Sequence, residues 1–555
     1  MDEALIVKAK LWSIFGKNGG SRAVQLMNGL NELYPPSAED VPKTPKFIRL
    51  GFHDCLKYAD GTGGCDGCLN WHNMGHRFPP TAEQRENTFQ FDVVDKSDNN
   101  GLRLTVEVLE QIYIDKDFPE KMGPSMEVSL RDSGKSRADL WAFAAIVAVE
   151  YGIETNNMVC NGTFKNNPSA QCNQELGEPN CEVKMPRRIK FKTGRRDCTE
   201  FGDKGYIATK EESHPSLVGN GRMTADFFQK DFGLNGQEIV ALFGAHTMGE
   251  FHPEIGLFKY TWTTAATESF NNHYFKNIVR EDRYAFTDMT GKCYRSGLQD
   301  NVKPKTRWLA RVRWETKNGG PVHWIHENYR CPNCVTDKRE MDLYKDTCCK
   351  NIAPGYQCSL DSKEGGMEND PDVNDGCEMW NFNFGIDEMA LSAEIGLYFD
   401  FEVTEDGIPY GCPGMNRFNS TWWTDPNKKR KHEFYKIQAL VQLIICDDLD
   451  ARFKGTTYLK EGTNPDDPKN WHEGDPDCPM NTMKVPAGKG KQIYKYFEDY
   501  AKNQNLWIND FIAVYEKMLQ NGYKNWELID GPNQYDGVFC ERRGPGKRHF
   551  CEHIV

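Results

Sequence analysis

The sequence predicts a mainly helical protein whose helical body is interrupted by a polar, cysteine-rich insertion. Apolar residues recur at intervals of three and four over residues 138–149 and 237–242, the period of a helix with a buried face. The segment 226–232 (DFFQKDF) predicts another short helix, closed by Gly233. A longer run rich in Tyr, Phe and Trp ends at Gly522 and predicts one or two C-terminal helices.

The middle of the chain follows a different pattern. Residues 306–329 alternate apolar and polar side chains on either side of Asn318-Gly319-Gly320. Alternation around an Asn-Gly turn is typical of a β-hairpin. A cysteine-rich run and a Gly/Asp-rich loop follow it, so we expect a small hairpin inside a disulfide-rich insertion.

Composition excludes some classes of protein and favours a compartment. The formal net charge of −13 opposes a nucleic-acid partner, which needs a basic surface. No apolar stretch has the length of a membrane span. The 19 cysteines favour disulfides over zinc, although Cys65/Cys68 and Cys331/Cys334 have the CxxC spacing of zinc ligands. We therefore expect a secreted or otherwise extracytoplasmic protein whose signal is absent from this numbering.

The first candidate segment for chemistry is KFIRLGFHDCLKY, residues 46–58. If this segment is helical, Arg49 and His53 are four residues apart and share a face, with Phe52 beside them. A cation and a neutral base that project together suit acid–base chemistry. The alternative is a solvated arginine and a hydrogen-bonded core histidine.

The second candidate segment is GQEIVALFGAHTMGEFH, residues 236–252. His246 follows an apolar run and lies next to Gly244 and Ala245, which leave room for a large flat group. An apolar setting keeps imidazole neutral, as iron ligation requires. A core histidine is the alternative for His246 taken alone.

Together these segments resemble the plant, fungal and bacterial haem peroxidase superfamily. The motifs are R-L-x-F-H-D-C at Arg49 to Cys55 and A-L-x-G-A-H-T-x-G at Ala241 to Gly249, in the order typical of the family. The element GRRD (194–197) and the segment 136–149 resemble landmarks between them. The resemblance implies a two-lobed helical fold with haem b between the lobes.

The same resemblance divides the chain into a body and two insertions. We expect a peroxidase body with the distal and proximal haem helices (1–290), a Cys-rich insertion (291–383), a return to the body (384–403), a second insertion (404–487), and C-terminal peroxidase helices with a tail (488–555).

Roles for the motif residues follow from the resemblance and from the chemistry of peroxide. His53 is expected to take a proton from the inner peroxide oxygen and return it to the outer one. Arg49 stabilises the charge that develops on the separating oxygen. Asn99 holds the distal imidazole, Phe52 walls the site, and His246 is the axial ligand of the haem iron.

The resemblance also implies a carboxylate on the other nitrogen of the proximal imidazole. The segment GIDEMALSAEIGLYF resembles the corresponding element of the family and nominates Asp387. The segment CPMN nominates Asn481 instead. We prefer Asp387, because a helix-like run follows it directly.

Trp262 lies sixteen residues after His246, the spacing of the proximal tryptophan in intracellular members of the family. In cytochrome c peroxidase that residue passes electrons to the haem from a protein donor. The alternative is a core tryptophan packed under the haem. His252 matches a haem-propionate contact, whereas Ile255 replaces the arginine that binds ascorbate and puts ascorbate in doubt.

The loop after His53 resembles secretory members of the family. By that match Cys55 pairs with Cys65, and Asp54 and Asp66 offer carboxylates to calcium. Cys68 stands where a serine ligand is expected.

A second calcium site, on the proximal side, has weaker support from the resemblance. Thr247 fits the pattern, but Asn271 replaces the expected aspartate.

The leading interpretation is a haem peroxidase that reduces hydrogen peroxide and oxidises aromatic or phenolic donors in one-electron steps. A redox protein that donates through Trp262 is the second interpretation. A structural or adhesion protein that retains the fold is the third.

Overall fold

The computed structural model describes, with short internal gaps, residues 3–27, 41–70, 99–160, 182–279, 389–403 and 480–531. It also describes short strands between 285 and 326, and at 409–410, 457–459, 471–473, 538–541 and 550–553.

Most of the described body is helical, which confirms the predicted fold class. The helices are α1 (Glu3–Phe15), α2 (Gly19–Leu26), α3 (Thr44–His53), α4 (Arg103–Ile114), α5 (Arg137–Cys160), α6 (Gly221–Phe232), α7 (Gly236–Phe243), α8 (His273–Val279), α9 (Ser392–Tyr398), α10 (Ile493–Lys502) and α11 (Gln504–Met518). A 3₁₀ turn, Gly244–Thr247, continues α7.

The strands are short and form small sheets. They are β1 (Leu69–Asn70), β2 (Lys192–Thr193), β3 (Ile207–Ala208), β4 (Ala285–Thr287), β5 (Cys293–Arg295), β6 (Trp308–Val312), β7 (Val322–His326), β8 (Met389–Leu391), β9 (Glu402–Val403), β10 (Pro409–Tyr410), β11 (Thr457–Leu459), β12 (Trp471–Glu473), β13 (Ile529–Asp530), β14 (Val538–Glu541) and β15 (Phe550–His553).

The predicted hairpin is confirmed. Strands β6 and β7 pair antiparallel, with Trp308 opposite His326 and Val312 opposite Val322. Strand β8 pairs antiparallel with β7 and runs directly into α9. The hairpin is therefore joined by backbone hydrogen bonds to the strand that leads into α9, although the two are far apart in sequence.

Helix α5 is the centre of the first helical group. Its apolar residues are buried on every face, including Trp141 and Phe143, and α1, α3 and α4 pack against it. A Cβ at Gly51 of α3 would lie 2.5 Å from Cβ of Ala145, so glycine allows the two helices this close approach. Burial against α5 fixes the orientation of α3, and with it the side chains at the end of α3.

The second helical group forms around α7. Helices α10 and α11 pack against α7, and α9 packs against α6 and α10. Helix α6 ends at Gly233 in the left-handed conformation, as its sequence predicts. Gly221 of α6 and Gly396 of α9 meet so closely that a Cβ at Gly221 would lie 2.0 Å from the Gly396 carbonyl oxygen. This contact brings α9 to the end of α7.

Among the described helices, none combines the length and the apolar character needed to cross a bilayer.

The division of the chain into a peroxidase body and two insertions, at residues 290, 383, 403 and 487, stays a prediction.

Candidate active site

Helix α3 carries Arg49 and His53 on one face, as their spacing predicts. Arg49 Nε lies 3.3 Å from His53 Nε2. Phe47 and Leu50 of the same helix are fully buried. Because those apolar residues anchor α3 to the core, they fix the direction in which the guanidinium and the imidazole project together.

The structure brings Asn99 to His53. His53 Nδ1 lies 2.8 Å from Asn99 Oδ1, and Asn99 Nδ2 donates to the Asn70 carbonyl oxygen and to Glu212 Oε2, both at 2.8 Å. Two acceptors around Nδ2 assign the orientation of the amide, so its oxygen faces the imidazole. The amide oxygen only accepts, so Nδ1 of His53 carries the proton and Nε2 is left as the base.

Burial keeps His53 neutral. Only 8% of the residue is exposed. Burial, followed by the positive charge of Arg49 and the neighbouring His214, holds the pKa of His53 well below its ordinary value of 6.5, against the opposing hydrogen bond to Asn99. A neutral imidazole at neutral pH is the state that a proton acceptor needs.

Phe52 borders the same face, as predicted. Its ring meets the His53 imidazole edge-on with centroids 5.6 Å apart. It also stacks on Phe228 at 5.9 Å and on Phe232 at 5.8 Å, both from α6. The apolar wall beside His53 therefore includes two phenylalanines of α6 as well as Phe52.

His246 lies in the 3₁₀ turn that follows α7. Asn235 and Glu238 form a reciprocal capping box that fixes the start of α7. Near the end of α7, Trp507 Nε1 donates to the Ala241 carbonyl oxygen at 3.0 Å. A Cβ at Gly244 would lie 2.3 Å from Nε1 of Trp507, so glycine lets the chain pass this indole before reaching His246.

The carboxylate that contacts His246 is Glu394 of α9. Glu394 Oε1 lies 2.6 Å from His246 Nδ1, and its side chain is 0% exposed. Its other oxygen accepts a hydrogen bond of 2.6 Å from the Leu391 backbone N–H. Held by two donors, the carboxylate orients the imidazole and leaves Nε2 of His246 as the remaining ring nitrogen.

The prediction of Asp387 for this position was therefore wrong. Asp387 lies outside the described residues, and Glu394 occupies the contact seven residues later in the same segment. The rival Asn481 binds elsewhere, because its Nδ2 donates to the Gly396 carbonyl oxygen at 2.7 Å. A glutamate in the first turn of an apolar helical run was the sequence signal for Glu394.

Aromatic rings enclose the His246 imidazole. Trp262 stacks on it with centroids 4.0 Å apart and planes within 6° of parallel. Phe243 and Tyr274 meet it edge-on at 5.8 and 6.1 Å. Burial and the neighbouring Glu394 carboxylate raise the pKa of Tyr274 well above its usual value of 10, so its hydroxyl keeps its proton.

Thr247 belongs to a neutral hydrogen-bond network. Its Oγ1 donates to Asn271 Oδ1 at 3.0 Å, and Asn271 Nδ2 donates to Asn156 Oδ1 at 3.0 Å. The hydroxyl of Thr247 and the amides of Asn271 and Asn156 are therefore hydrogen-bonded to one another. His252 lies outside the described residues.

The loop after α3 contains the predicted disulfide between Cys55 and Cys65. Asp54 Oδ1 accepts from the Gly67 backbone N–H at 2.7 Å. Asp66 Oδ2 accepts from the Tyr58 hydroxyl at 2.9 Å, and burial raises the pKa of Asp66 to about 7.

Cys68 forms a disulfide with Cys198, so Cys65 and Cys68 belong to separate disulfides and are not a zinc pair. Within the described ranges, no three His, Cys, Asp or Glu side chains are grouped as a metal site. The pair Cys331/Cys334 lies outside these ranges.

Two residues next to His53 were missed by the sequence analysis. Glu212 binds Asn99, and the His214 imidazole lies 5.4 Å from that of His53. Both lie in the segment before α6, where no periodicity or motif points to them.

Comparison with known proteins supports the same interpretation of the two histidine segments. The family model described as Peroxidase matches residues 32–296. A mitochondrial cytochrome c peroxidase of Aspergillus fumigatus is 27% identical over 284 residues, which cover 49% of this chain and 61% of the relative.

Two further relatives give similar values. A mitochondrial cytochrome c peroxidase of Cryptococcus neoformans var. grubii is 29% identical over 46% of this chain and 48% of the relative. A probable peroxisomal L-ascorbate peroxidase 4 of Oryza sativa subsp. japonica is 25% identical over 42% and 56%. The chain spans about half to three-fifths of the length of these relatives.

Proposed function

We propose, from the match of residues 32–296 to the Peroxidase family model, that this chain binds haem b through His246 and reduces hydrogen peroxide with His53 as the acid–base group. The observation that carries the proposal is the pair of oriented imidazoles. Each is held at Nδ1, His53 by Asn99 and His246 by Glu394. Each therefore offers only Nε2 for chemistry.

The residues present fit a haem. The His246 side chain is 35% exposed although its neighbours Glu394 and Trp262 are buried. A partly exposed imidazole whose Nδ1 is bound by a buried carboxylate is a donor set that would hold a haem iron through Nε2.

Residues on the distal side account for the proton transfers. When bound, haem supplies the iron that accepts the peroxide and the electrons that split its O–O bond. His53 Nε2 takes the proton from the inner peroxide oxygen and returns it to the outer oxygen, which leaves as water. Arg49, 3.3 Å from that nitrogen, stabilises the negative charge that develops on the leaving oxygen.

The electron donor is proposed to be a redox protein that acts through Trp262. The parallel contact at 4.0 Å between Trp262 and His246 supports this route. Two of the relatives above are named cytochrome c peroxidases, which also supports it. Oxidation of aromatic or phenolic donors, the leading interpretation from sequence, is the alternative and does not need Trp262.

Replacing Trp262 with phenylalanine tests the donor. With ferrocytochrome c as the probe, we expect Trp262→Phe to lower the oxidation rate at least about tenfold, a barrier increase of about 1.4 kcal/mol. Oxidation of guaiacol is expected to stay within about twofold. Trp526→Phe is the matched control, because Trp526 is 76% exposed. Equal loss for both donors, or no loss for either, contradicts the relay.

We also propose that the protein folds in an oxidising compartment and binds calcium. The disulfides Cys55–Cys65 and Cys68–Cys198 support folding outside the reducing cytosol. The buried carboxyl group of Asp54 and the neighbouring, half-buried carboxyl group of Asp66 support a cation in the loop after α3. The retained Arg49, His53 and His246 oppose a purely structural or adhesion role, because structure alone does not need that trio.

A further inference from the structure

Glu212 is a buried carboxylate beside the distal pocket. Its side chain is 4% exposed. Oε1 accepts from the Asn70 backbone N–H at 2.6 Å, and Oε2 accepts from Asn99 Nδ2 at 2.8 Å. His214 Nε2 lies 3.3 Å from the same Oε2. A carboxylate this deeply buried is stable only with such a set of donors.

Backbone contacts fix the segment that carries this pair. Tyr58 and Glu212 form an antiparallel bridge, and the Ser213 N–H donates to the Lys57 carbonyl oxygen at 2.7 Å. The segment is therefore tied on both sides of Glu212 to the loop that follows α3. Glu212 and His214 are held at the pocket by the fold, in addition to their own side-chain contacts.

The hydrogen bonds converge on the carboxylate. The Nδ1–H of His53 donates to Asn99 Oδ1, Asn99 Nδ2 donates to Glu212 Oε2, and His214 Nε2 lies 3.3 Å from that same oxygen. Hydrogen bonds in such a chain polarise one another. The Glu212 anion at the end of this series of hydrogen bonds therefore makes Asn99 Oδ1 a stronger acceptor for the Nδ1–H of His53. The neighbouring His214 imidazole offers the buried anion a further hydrogen-bond donor.

We infer that Glu212 and His214 are positioning residues for His53: His214 secures the Glu212 carboxylate, which locks the Asn99 amide and thereby the Nδ1-protonated form of His53. The inference rests on the proposed function, because it assigns the parts that keep the distal base in its working tautomer. Neither residue needs to touch the peroxide.

Four variants test the inference in the full-length, haem-reconstituted protein. Glu212→Gln keeps the shape but must turn an NH₂ group toward a donor at Asn70 or Asn99. His214→Leu removes the donor to Glu212, and His214→Gln restores an N–H near the position of Nε2. Glu211→Gln is the matched control, because it removes the neighbouring carboxylate, which is exposed.

We expect Glu212→Gln and His214→Leu to slow the reaction with peroxide at least about tenfold, the loss typical of one charge-assisted hydrogen bond. His214→Gln is expected to recover the rate to within about threefold of the unsubstituted protein. Glu211→Gln is expected to leave it unchanged. A His214→Gln rate as low as that of His214→Leu overturns the role of the hydrogen bond to Glu212.

A second readout does not depend on turnover. Histidine-selective ¹⁵N NMR of the full-length chain reports which ring nitrogen of His53 carries the proton, with His53→Leu used to assign the signal. We expect the Nδ1-protonated form in the unsubstituted chain and a mixture of tautomers in Glu212→Gln and His214→Leu. Unchanged tautomers in both variants overturn the inference. Absence of a peroxide reaction in the unsubstituted protein instead overturns the proposed function and leaves the NMR result readable.

Discussion

Replacing His53 with leucine is expected to slow the reaction with hydrogen peroxide by about 10²–10⁴-fold, the usual contribution of a positioned acid–base group. Leucine has similar bulk but cannot accept the proton of the inner oxygen. The stabilising charge of Arg49 remains, so the variant retains some reaction above that of free haem. Stopped-flow absorption with peroxide in excess measures the second-order rate constant.

Haem binding is the control for this variant. His246 and Glu394 are untouched, so the ferric absorption spectrum and the haem content of His53→Leu are expected to match those of the unsubstituted protein. A variant that reacts within about threefold of the normal rate contradicts the role of His53 as the base.

The pH dependence of the unsubstituted protein gives an independent check on the same base. Burial and Arg49 lower the pKa of His53 below 6.5, so the imidazole stays neutral at a pH where a free histidine is half protonated. The rate constant is therefore expected to stay level as the pH falls through 6.5, and to fall only at lower pH as His53 takes up a proton. An acid limb at or above pH 6.5 contradicts this reading.

Replacing Glu394 with glutamine is expected to cost about 10–100-fold in haem affinity or in the peroxide rate constant, the usual range for the partner of a metal-bound histidine. Glu394 accepts from His246 Nδ1 with one oxygen and from the Leu391 N–H with the other. Glutamine has one oxygen and one NH₂ group, so either orientation sets a donor against a donor in a buried site.

Two further variants separate the charge of Glu394 from its reach. Glu394→Asp keeps the charge but is shorter by one methylene, so we expect an intermediate loss. Glu498→Gln, on the partly exposed surface of α10, is the matched control and is expected to change neither quantity. Haem dissociation followed by transfer to apomyoglobin gives the affinity. Equal values for Glu394→Gln and Glu498→Gln contradict the assignment of Glu394.

The sequence predicts the distal and proximal segments because each is local. Arg49 and His53 lie on one short helix, and His246 follows an apolar run whose period is plain. The spacing of these residues alone predicts which face of the helix they share. Asn99 was identified by resemblance, and its contact with His53 is present.

Contacts between distant segments were not predictable in the same way. Glu394 is separated from His246 by 148 residues, and no periodicity states which of two nearby acids, Asp387 or Glu394, faces an imidazole. Glu212 reaches the site through a backbone bridge to Tyr58. The Cys68–Cys198 disulfide spans 130 residues. Such pairings depend on how the helices pack, because spacing in the sequence carries no information about them.

More contacts in the structure support the reaction with peroxide than support the identity of the electron donor. His53, the proposed acid–base group, lies within hydrogen-bond distance of both Arg49 and Asn99. The proposed electron route depends on one stacked contact, between Trp262 and His246. This single ring contact supports an electron relay through Trp262, and the identity of the molecule that delivers the electron depends on other contacts.

Titration of the purified full-length chain with ferric haem b, followed by addition of hydrogen peroxide, tests the central claim most directly. We expect saturable binding of about one haem per chain, an absorption spectrum altered in His246→Ala, and a spectral change on adding peroxide that His53→Leu slows. Absence of saturable binding, or a complex whose spectrum is the same in His246→Ala, contradicts it.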